Sequence, residues 1–252
     1  MSQYVLPVLF TLFIWWFSTG VILYLGRFPQ KTFKWIMLAF TLVLAFALVG
    51  LSISASHTNV ASAYCAFTCA LLVWSWQEVA FLLGYVTGAR KSECPIDSRG
   101  WHRARLATET ILHHELALVI LALLVFSVSW NQPNQTGWWT YLVLWSMRLS
   151  AKLNLFLGVR NLSENFLPNH LRYLQSYFTR RSFNWLMPVS VLAGSAVALP
   201  LWSAAFSQVG TYAATSLCLV AGLLTLAVLE HLFMVLPLPT AWLWKWGMGV
   251  KV

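Results

Sequence analysis

The sequence predicts an all-α, polytopic integral membrane protein, a helical bundle of about seven transmembrane helices. Of its 252 residues, 59% are hydrophobic and only 9% are charged, whereas soluble domains average roughly 45–50% apolar and about 25% charged residues. So few charged side chains cannot cover the surface of a soluble globular protein of this size. A transmembrane helix needs roughly 20 residues, which allows at most about eight crossings and leaves no room for a sizeable soluble domain. We therefore expect one transmembrane domain, residues 1–252.

Seven apolar runs are long enough to be transmembrane helices. In chain order they cover residues 5–25, 33–53, 61–86, 106–128, 138–158, 185–206 and 211–236. The first run has no basic lead and no small-residue cleavage site, so it predicts a retained helix and not a signal peptide. Turn-forming, polar or charged residues separate the early runs, at 26–34, 54–59, 88–105 and 131–137.

The connection between the fifth and sixth runs is long enough to hold an element of its own. After Pro168, apolar side chains recur at Leu167, Leu171, Leu174 and Phe178, which is the spacing of one helix face. We therefore predict a cytoplasmic interfacial amphipathic helix at residues 161–181. A packed connector helix is the alternative.

The basic residues predict the orientation of the bundle. Fourteen of the sixteen Lys and Arg fall in the first, third and fifth connections, at their helix edges or in the C-terminal tail, which includes Lys251, and none falls in the other connections. Because cytoplasmic loops are enriched in Lys and Arg, the N-terminus should lie outside and the C-terminus in the cytoplasm. The net charge of +9 thus reflects topology, and we expect no nucleic-acid partner. The predicted lipid or partner face consists of Arg99, Arg103, Arg105, Arg172, Arg180 and Arg181.

Six charged residues fall inside the predicted helices. They are Glu78, Glu109, Glu115, Arg148, Lys152 and Glu230. Each costs roughly 2.5–3.5 kcal/mol at a helix centre, so we expect all six to face the bundle interior and to find partners. Depths counted at about 1.5 Å per residue predict a pair of Glu115 with Arg148 and a pair of Glu109 with Lys152.

Four negative and two positive charges leave a deficit of two in this interior. Protonated carboxyl groups, protonated histidine or a bound cation would each compensate it. A cation would use the metal candidates Glu109, His113, Glu230 and His231. The full polar intramembrane cluster, a candidate ligand or pigment site, is Glu78, Glu109, His113, His114, Glu115, Arg148, Lys152, Asn154, Glu230 and His231. A single His could also ligate a chlorin or haem metal, although a hydrogen-bonded core histidine is the commoner role.

Several stretches resemble the PuhE family. They include Trp74-Ser75-Trp76-Gln77-Glu78, Gly100-Trp101-His102-Arg103, His114-Glu115-Leu116-Ala117-Leu118 and Met147-Arg148-Leu149-Ser150-Ala151-Lys152-Leu153-Asn154. The similarity covers most of the chain, and its most specific part is residues 61–191. Helices one, two and seven match mainly by hydropathy, so Glu230 and His231 are not carried over.

The PuhE family comprises photosynthetic complex assembly proteins of purple phototrophic bacteria, associated with the reaction-centre H subunit locus and bacteriochlorophyll production. The resemblance implies an inner-membrane assembly factor, in the cytoplasmic or intracytoplasmic membrane, for the reaction centre and light-harvesting complex. It implies as partners membrane lipids, reaction-centre or light-harvesting subunits and other assembly factors, and as a candidate ligand bacteriochlorophyll or a precursor. It offers no catalytic residues. The alternatives are a metal- or tetrapyrrole-binding enzyme of pigment metabolism and a pigment or ion carrier.

Overall fold

The protein is a bundle of seven long α-helices. The computed structural model describes residues 2–162, 164–208, 210–236 and 240–248, so Lys251 lies outside the described residues. The helices are α1 (Ser2–Leu25), α2 (Phe33–Ala55), α3 (Val60–Leu82), α4 (Gly100–Ser129), α5 (Thr136–Leu157), α6 (Leu186–Ser207) and α7 (Thr211–Phe233). A short 3₁₀ turn, Thr240–Trp244, and the helix α8 (Lys245–Met248) follow, and together they are called the C-terminal segment below.

The predicted fold class is confirmed. Within the described ranges, six helices are long and apolar enough to cross a membrane, and α5 falls short of that measure because Arg148, Lys152 and Asn154 lower its hydropathy. Membrane crossing by α5 therefore stays a prediction, as does the orientation of the termini. The largest boundary difference is α4, which begins at Gly100, six residues before the predicted start.

The connections gather at the two ends of the bundle. Asn134 joins two of the loops at one end, because its amide donates to the carbonyl oxygens of Ser54 and Ser62 at 2.9 and 3.1 Å. The opposite end carries the basic connections 26–32, 83–99 and 158–185, and it is called the basic end. There the guanidinium of Arg103 donates to the carbonyl of Tyr177 at 2.7 Å and to the hydroxyl of Thr179 at 2.9 Å.

Helices α3 and α7 form the centre of the bundle, and small side chains allow their close packing. Ala63, Ala66 and Ala70 of α3 are fully buried, as are Ala214 and Ala221 of α7. In lipid, apolar burial gives little driving force between helices, so this close backbone approach and interhelical hydrogen bonds carry the association. The outer helices α1 and α2 expose large apolar side chains, as Phe46 does, which is the surface expected of helices in contact with lipid.

The segment that follows α3 turns back into the bundle and docks on α4. The N–H of Arg90 donates to the carbonyl of Glu109 at 3.2 Å, and the N–H of His114 donates to the carbonyl of Thr87 at 2.9 Å. A Cβ at Gly88 would lie 2.1 Å from the Glu109 carbonyl oxygen. Only glycine therefore allows the two backbones to approach this closely.

The connector between α5 and α6 is helical, but its ordered part is a 3₁₀ helix over Asn169–Tyr177, after a 3₁₀ turn at Glu164–Phe166. A three-residue repeat places Leu171, Leu174 and Tyr177 on one face, and all three are buried. The first two pack against Phe81 of α3. The connector is thus packed on the bundle, and its location in a membrane interface stays a prediction.

Candidate functional site

Two ion pairs link α5 to its neighbours in the interior. Arg148 Nη2 lies 2.9 Å from Glu78 Oε2 on α3, and Lys152 Nζ lies 2.6 Å from Glu115 Oε1 on α4. Arg148 and Lys152 are four residues apart, so they share one face of α5. Charge-assisted hydrogen bonds of this length are among the strong ones, and they fix α5 against both helices.

The pairing predicted from depth alone was wrong. Lys152 forms its ion pair with Glu115, and Arg148 forms its ion pair with Glu78, because α3 and not α4 packs beside Arg148. Glu109 pairs instead with Arg105, four residues earlier on α4, at 3.0 Å. The early start of α4 places both residues near the basic end, where a helix-surface pair forms without any partner from α5.

Part of the Arg148 side chain is exposed. The side chain is 46% exposed, yet Tyr141, two turns earlier on the same face of α5, is fully buried. The exposed apolar residues of this half of α5, Leu149 and Leu153, lie on a different face. The exposed part of the Arg148 side chain therefore does not share the face of Leu149 and Leu153.

Glu230 of α7 is in the same situation. It is exposed, although Leu219 and Leu223, on its own helix face, are buried. Its carboxylate accepts a hydrogen bond from Trp15 Nε1 of α1 at 2.6 Å, and it lies within electrostatic reach of Arg148 and Glu78. Trp15, Glu78, Arg148 and Glu230 are thus neighbours, and this group of four side chains is called the charged chamber below.

Packed side chains border the charged chamber on two sides. Toward the end opposite the basic one, an apolar layer is built from Ala63, Phe67, Leu219 and Leu223. Toward the basic end, the buried Trp244 of the C-terminal segment packs edge-on against Trp15, with 5.3 Å between ring centroids.

The excess of negative over positive charge in the interior is smaller than the sequence indicated. Once Glu109 is assigned to Arg105, and the two α5 cations to Glu78 and Glu115, one carboxylate remains. This is Glu230, which among the described residues has an indole N–H but no cation within ion-pair distance. Glu230 thus has a neutral partner, the Trp15 indole, in place of a cation, and Glu109 finds its partner near the helix surface.

A second polar group joins α5, α6 and α7. Asn154 Nδ2 donates to Ser190 Oγ at 3.1 Å, and Ser150 Oγ lies 2.8 Å from Ser190 Oγ and 2.9 Å from His231 Nε2. His231 Nδ1 lies 2.9 Å from the carbonyl of Ala227. Since a carbonyl only accepts, this contact assigns a proton to Nδ1, while the Ser150 hydroxyl donates its own proton to Ser190 Oγ. Asn154 Oδ1 is buried without a partner among the described residues.

His114 is held in a separate position between α3 and α4. Gln77 Nε2 donates to His114 Nδ1 at 2.9 Å and to the His114 carbonyl at 3.0 Å. The ring of Phe81 lies 4.6 Å from the imidazole. His114 and Gln77 are both fully buried, so this contact has the geometry of a structural clamp.

The candidate metal ligands do not assemble. Among the described ranges, no three His, Cys, Asp or Glu side chains are placed to hold a metal ion. Glu109 is paired with Arg105, His113 is exposed on the outside of α4, Glu230 binds Trp15, and His231 uses both ring nitrogens.

A tetrapyrrole macrocycle does not fit the buried histidines. Ligation of its metal needs a free imidazole nitrogen that faces open space. His114 and His231 are each at most 2% exposed and are engaged by Gln77 and Ser150. His113, in contrast, lies on the outer surface of α4 beside the exposed Leu112 and Leu116. The outer face of α4 is therefore the one place where these histidines leave room for a large flat ligand.

Only part of the predicted lipid or partner face is exposed and outside the ion pairs of the described residues. Arg99, Arg172 and Arg181 are exposed, whereas Arg105 and Arg180 are paired with Glu109 and Glu164. Arg103 is half-buried, because its guanidinium also lies 4.5 Å from the Phe156 ring centroid. It holds α4, α5 and the connector together and is not a surface residue.

Sequence reasoning missed four polar side chains of the interior: Trp15, Gln77, Ser150 and Ser190. Gln77 and the two serines interrupt apolar runs, which is a visible signal. Trp15 gives no such signal, because a tryptophan within an apolar run is typical of a side chain in contact with lipid.

Comparisons with known proteins place this chain among bacterial relatives. A family model described as "Protein of unknown function (DUF3623)" matches residues 1–252. A Rhodobacter capsulatus protein described as "Uncharacterized 30.4 kDa protein in puhA 5'region" is 36% identical over 246 residues, which cover 96% of this chain and 89% of the relative. No solved structure matches the chain.

Proposed function

This chain belongs to the DUF3623 family, and from the puhA location in the name of its relative we propose that it is an inner-membrane assembly factor of the PuhE type. It would support biogenesis of the photosynthetic reaction centre and light-harvesting complex, and accumulation of bacteriochlorophyll. The observation that carries the proposal is the near full-length similarity to a protein encoded beside puhA. The locus named for the relative supports a link to photosynthesis, and the helices of the described residues that are long and apolar enough to cross a membrane support a multi-pass membrane protein.

The geometry supports assembly better than catalysis. Most of the interior polar groups are used to join helices: Glu78 with Arg148, Glu115 with Lys152, and His114 with Gln77. The large apolar surface of α1 and α2 is then available to client subunits within the membrane. In this proposal the ion pairs keep the bundle rigid, and the clients are recognised on its outer surface.

Contact with pigment would also take place on the outer surface. The face of α4 around His113 offers an imidazole among exposed apolar side chains, which is the chemistry that suits a chlorin. Bacteriochlorophyll or a precursor would be handed to a client there, without entering the bundle.

Deletion of the gene in a phototrophic host tests the assembly role. We expect the near-infrared absorbance of reaction centre and antenna to fall while other membrane proteins keep normal levels. A plasmid copy of the wild-type gene should restore it. Unchanged absorbance in the deletion strain would refute the proposal. His113→Leu should accumulate normally yet restore less pigment than the wild type, and full restoration would remove pigment contact at α4 from the proposal.

A carrier is the second candidate, and the exposed part of Arg148 favours it. A carrier needs a water route to the charged chamber from each side of the membrane. In a variant whose four native cysteines are serine, Arg148→Cys should react with a water-soluble methanethiosulfonate from both sides, whereas Ala122→Cys, at a buried position, should not. Reaction from neither side, or only from the basic end, contradicts the carrier function.

A further inference from the structure

A cavity of about 340 Å³ lies at the basic end, lined by a residue set that shares nothing with the charged chamber. It is bordered by the turn before α2, by the segment after α3 and by the connector between α5 and α6. Its polar lining consists of Gln30, Thr87, Lys91, His170 and Tyr173. The volume is within the roughly 300–1,000 Å³ typical of small-ligand sites.

The charge of the lining favours an anion. Lys91 contributes an ammonium group, and no Asp or Glu is among the lining residues. Phe33, the first residue of α2, also lines the cavity. The positive end of the α2 dipole is therefore at the rim, and no acidic side chain in its first turn offsets it.

Two residues of the connector, His170 and Tyr173, line this space. The Tyr173 hydroxyl is buried without a hydrogen bond of standard geometry among the described residues, and the Thr87 side chain is its nearest polar neighbour. Burial raises the pKa of Tyr173, so the phenol stays protonated and can donate. His170 Nε2 lies 2.9 Å from the carbonyl of Leu82, which assigns the proton to Nε2 and leaves Nδ1 without that contact.

The cavity is also at the right depth for a lipid headgroup. It lies where α3 has just ended, at Leu82, and where α2 begins, at Phe33. The ends of membrane-crossing helices lie near the boundary between hydrocarbon and headgroups. The exposed Tyr85 lines the same cavity, and aromatic side chains are enriched at that boundary. A buried donor without a partner at this depth is costly unless a ligand or water satisfies it.

We propose that this cavity binds a phosphate group, with Lys91 supplying the charge and the Tyr173 hydroxyl a buried donor. The phosphate comes from an anionic lipid headgroup or from a soluble phosphate. The inference is independent of the photosynthetic role, because it rests only on the lining residues and their position.

Binding to purified protein in detergent tests the site. The probes are dioctanoyl phosphatidylglycerol, dioctanoylglycerol, which lacks the phosphate, and inorganic phosphate. We expect phosphatidylglycerol to bind at least about tenfold more tightly than dioctanoylglycerol, since a charge-assisted hydrogen bond is worth about that factor. Displacement of the lipid by millimolar inorganic phosphate would identify a soluble phosphate as the ligand, and its failure to displace would identify the lipid.

Matched variants distinguish binding in the cavity from general electrostatic attraction to the basic end of the bundle. Lys91→Gln should weaken phosphatidylglycerol binding about tenfold, and Tyr173→Phe should weaken it several-fold. Lys34→Gln removes the same charge at the same end of the bundle, from a side chain that lies over the Trp35 ring outside the cavity, and should leave binding unchanged. Equal binding of dioctanoylglycerol, or wild-type affinity in Lys91→Gln, would overturn the proposal.

Discussion

Gly88→Ala tests whether the close contact between the segment after α3 and α4 stabilises the bundle. The new Cβ would lie 2.1 Å from the Glu109 carbonyl oxygen and 2.4 Å from the Thr110 carbonyl carbon. Both atoms belong to the backbone of a long helix, which cannot move aside as a flexible side chain can. The segment must therefore retreat from α4 by about 1 Å to reach an ordinary contact distance.

The retreat removes the two backbone hydrogen bonds that flank Gly88, from Arg90 N–H to Glu109 and from His114 N–H to Thr87. Each contributes about 1 kcal/mol net, and leaving the buried groups unpaired adds to this, so the expected loss is about 2–4 kcal/mol. The assay is reversible unfolding in mixed detergent micelles of increasing dodecyl sulfate fraction, followed by circular dichroism.

Gly210→Ala is the matched control. A Cβ at Gly210 meets nothing within 4 Å, and its φ of −79° is open to any residue. We expect its free energy of unfolding to stay within about 0.5 kcal/mol of the wild type. If Gly88→Ala behaves like this control, the contact with α4 contributes nothing to stability and the reasoning is refuted.

Three further predictions use other parts of the molecule. Arg148→Ala should cost about 1–3 kcal/mol in the same unfolding assay, less than a fully buried pair because the guanidinium is half exposed, and adding Glu78→Gln should recover part of it; an additive double variant contradicts the coupling. Gly247→Ala, whose Cβ would lie 2.4 Å from the α1 backbone, should detach the C-terminal segment and increase quenching of tryptophan fluorescence by acrylamide, and unchanged quenching would argue against that contact. Alkaline phosphatase fused after Gln208 should be active, whereas fusion after Ala89 should give an inactive enzyme; the opposite pattern reverses the predicted topology.

The helices were predictable because a lipid environment constrains them strongly. An apolar run of about 20 residues has few alternatives to a spanning helix. Boundaries were less accurate where polar residues continue a helix beyond the apolar run, as between Gly100 and Leu106 of α4. The segment around Gly88 could not be anticipated, since its fit depends on which helix lies beside it.

The candidate site was predictable in its members but not in its pairs. Arg148 and Lys152 stand out in any apolar run, because placing charge there is costly. Which carboxylate each one meets depends on helix rotation and neighbour order, so Glu78 and Glu115 could not be assigned from depth. The exposed part of Arg148 could not be anticipated either, because Tyr141 on the same face of α5 is fully buried.

The contact between α1 and the C-terminal segment has a consequence for how the protein is made. The N–H groups of Trp16 and Trp244 reach carbonyl oxygens of the opposite segment at 2.7 and 2.9 Å, and Gly20 packs against Gly247. Trp15 meets Glu230 of α7. α1 therefore cannot complete its contacts until α7 and the C-terminal segment have been synthesised. Until then, the N–H groups of Trp15 and Trp16 must be shielded by lipid headgroups or by an insertase.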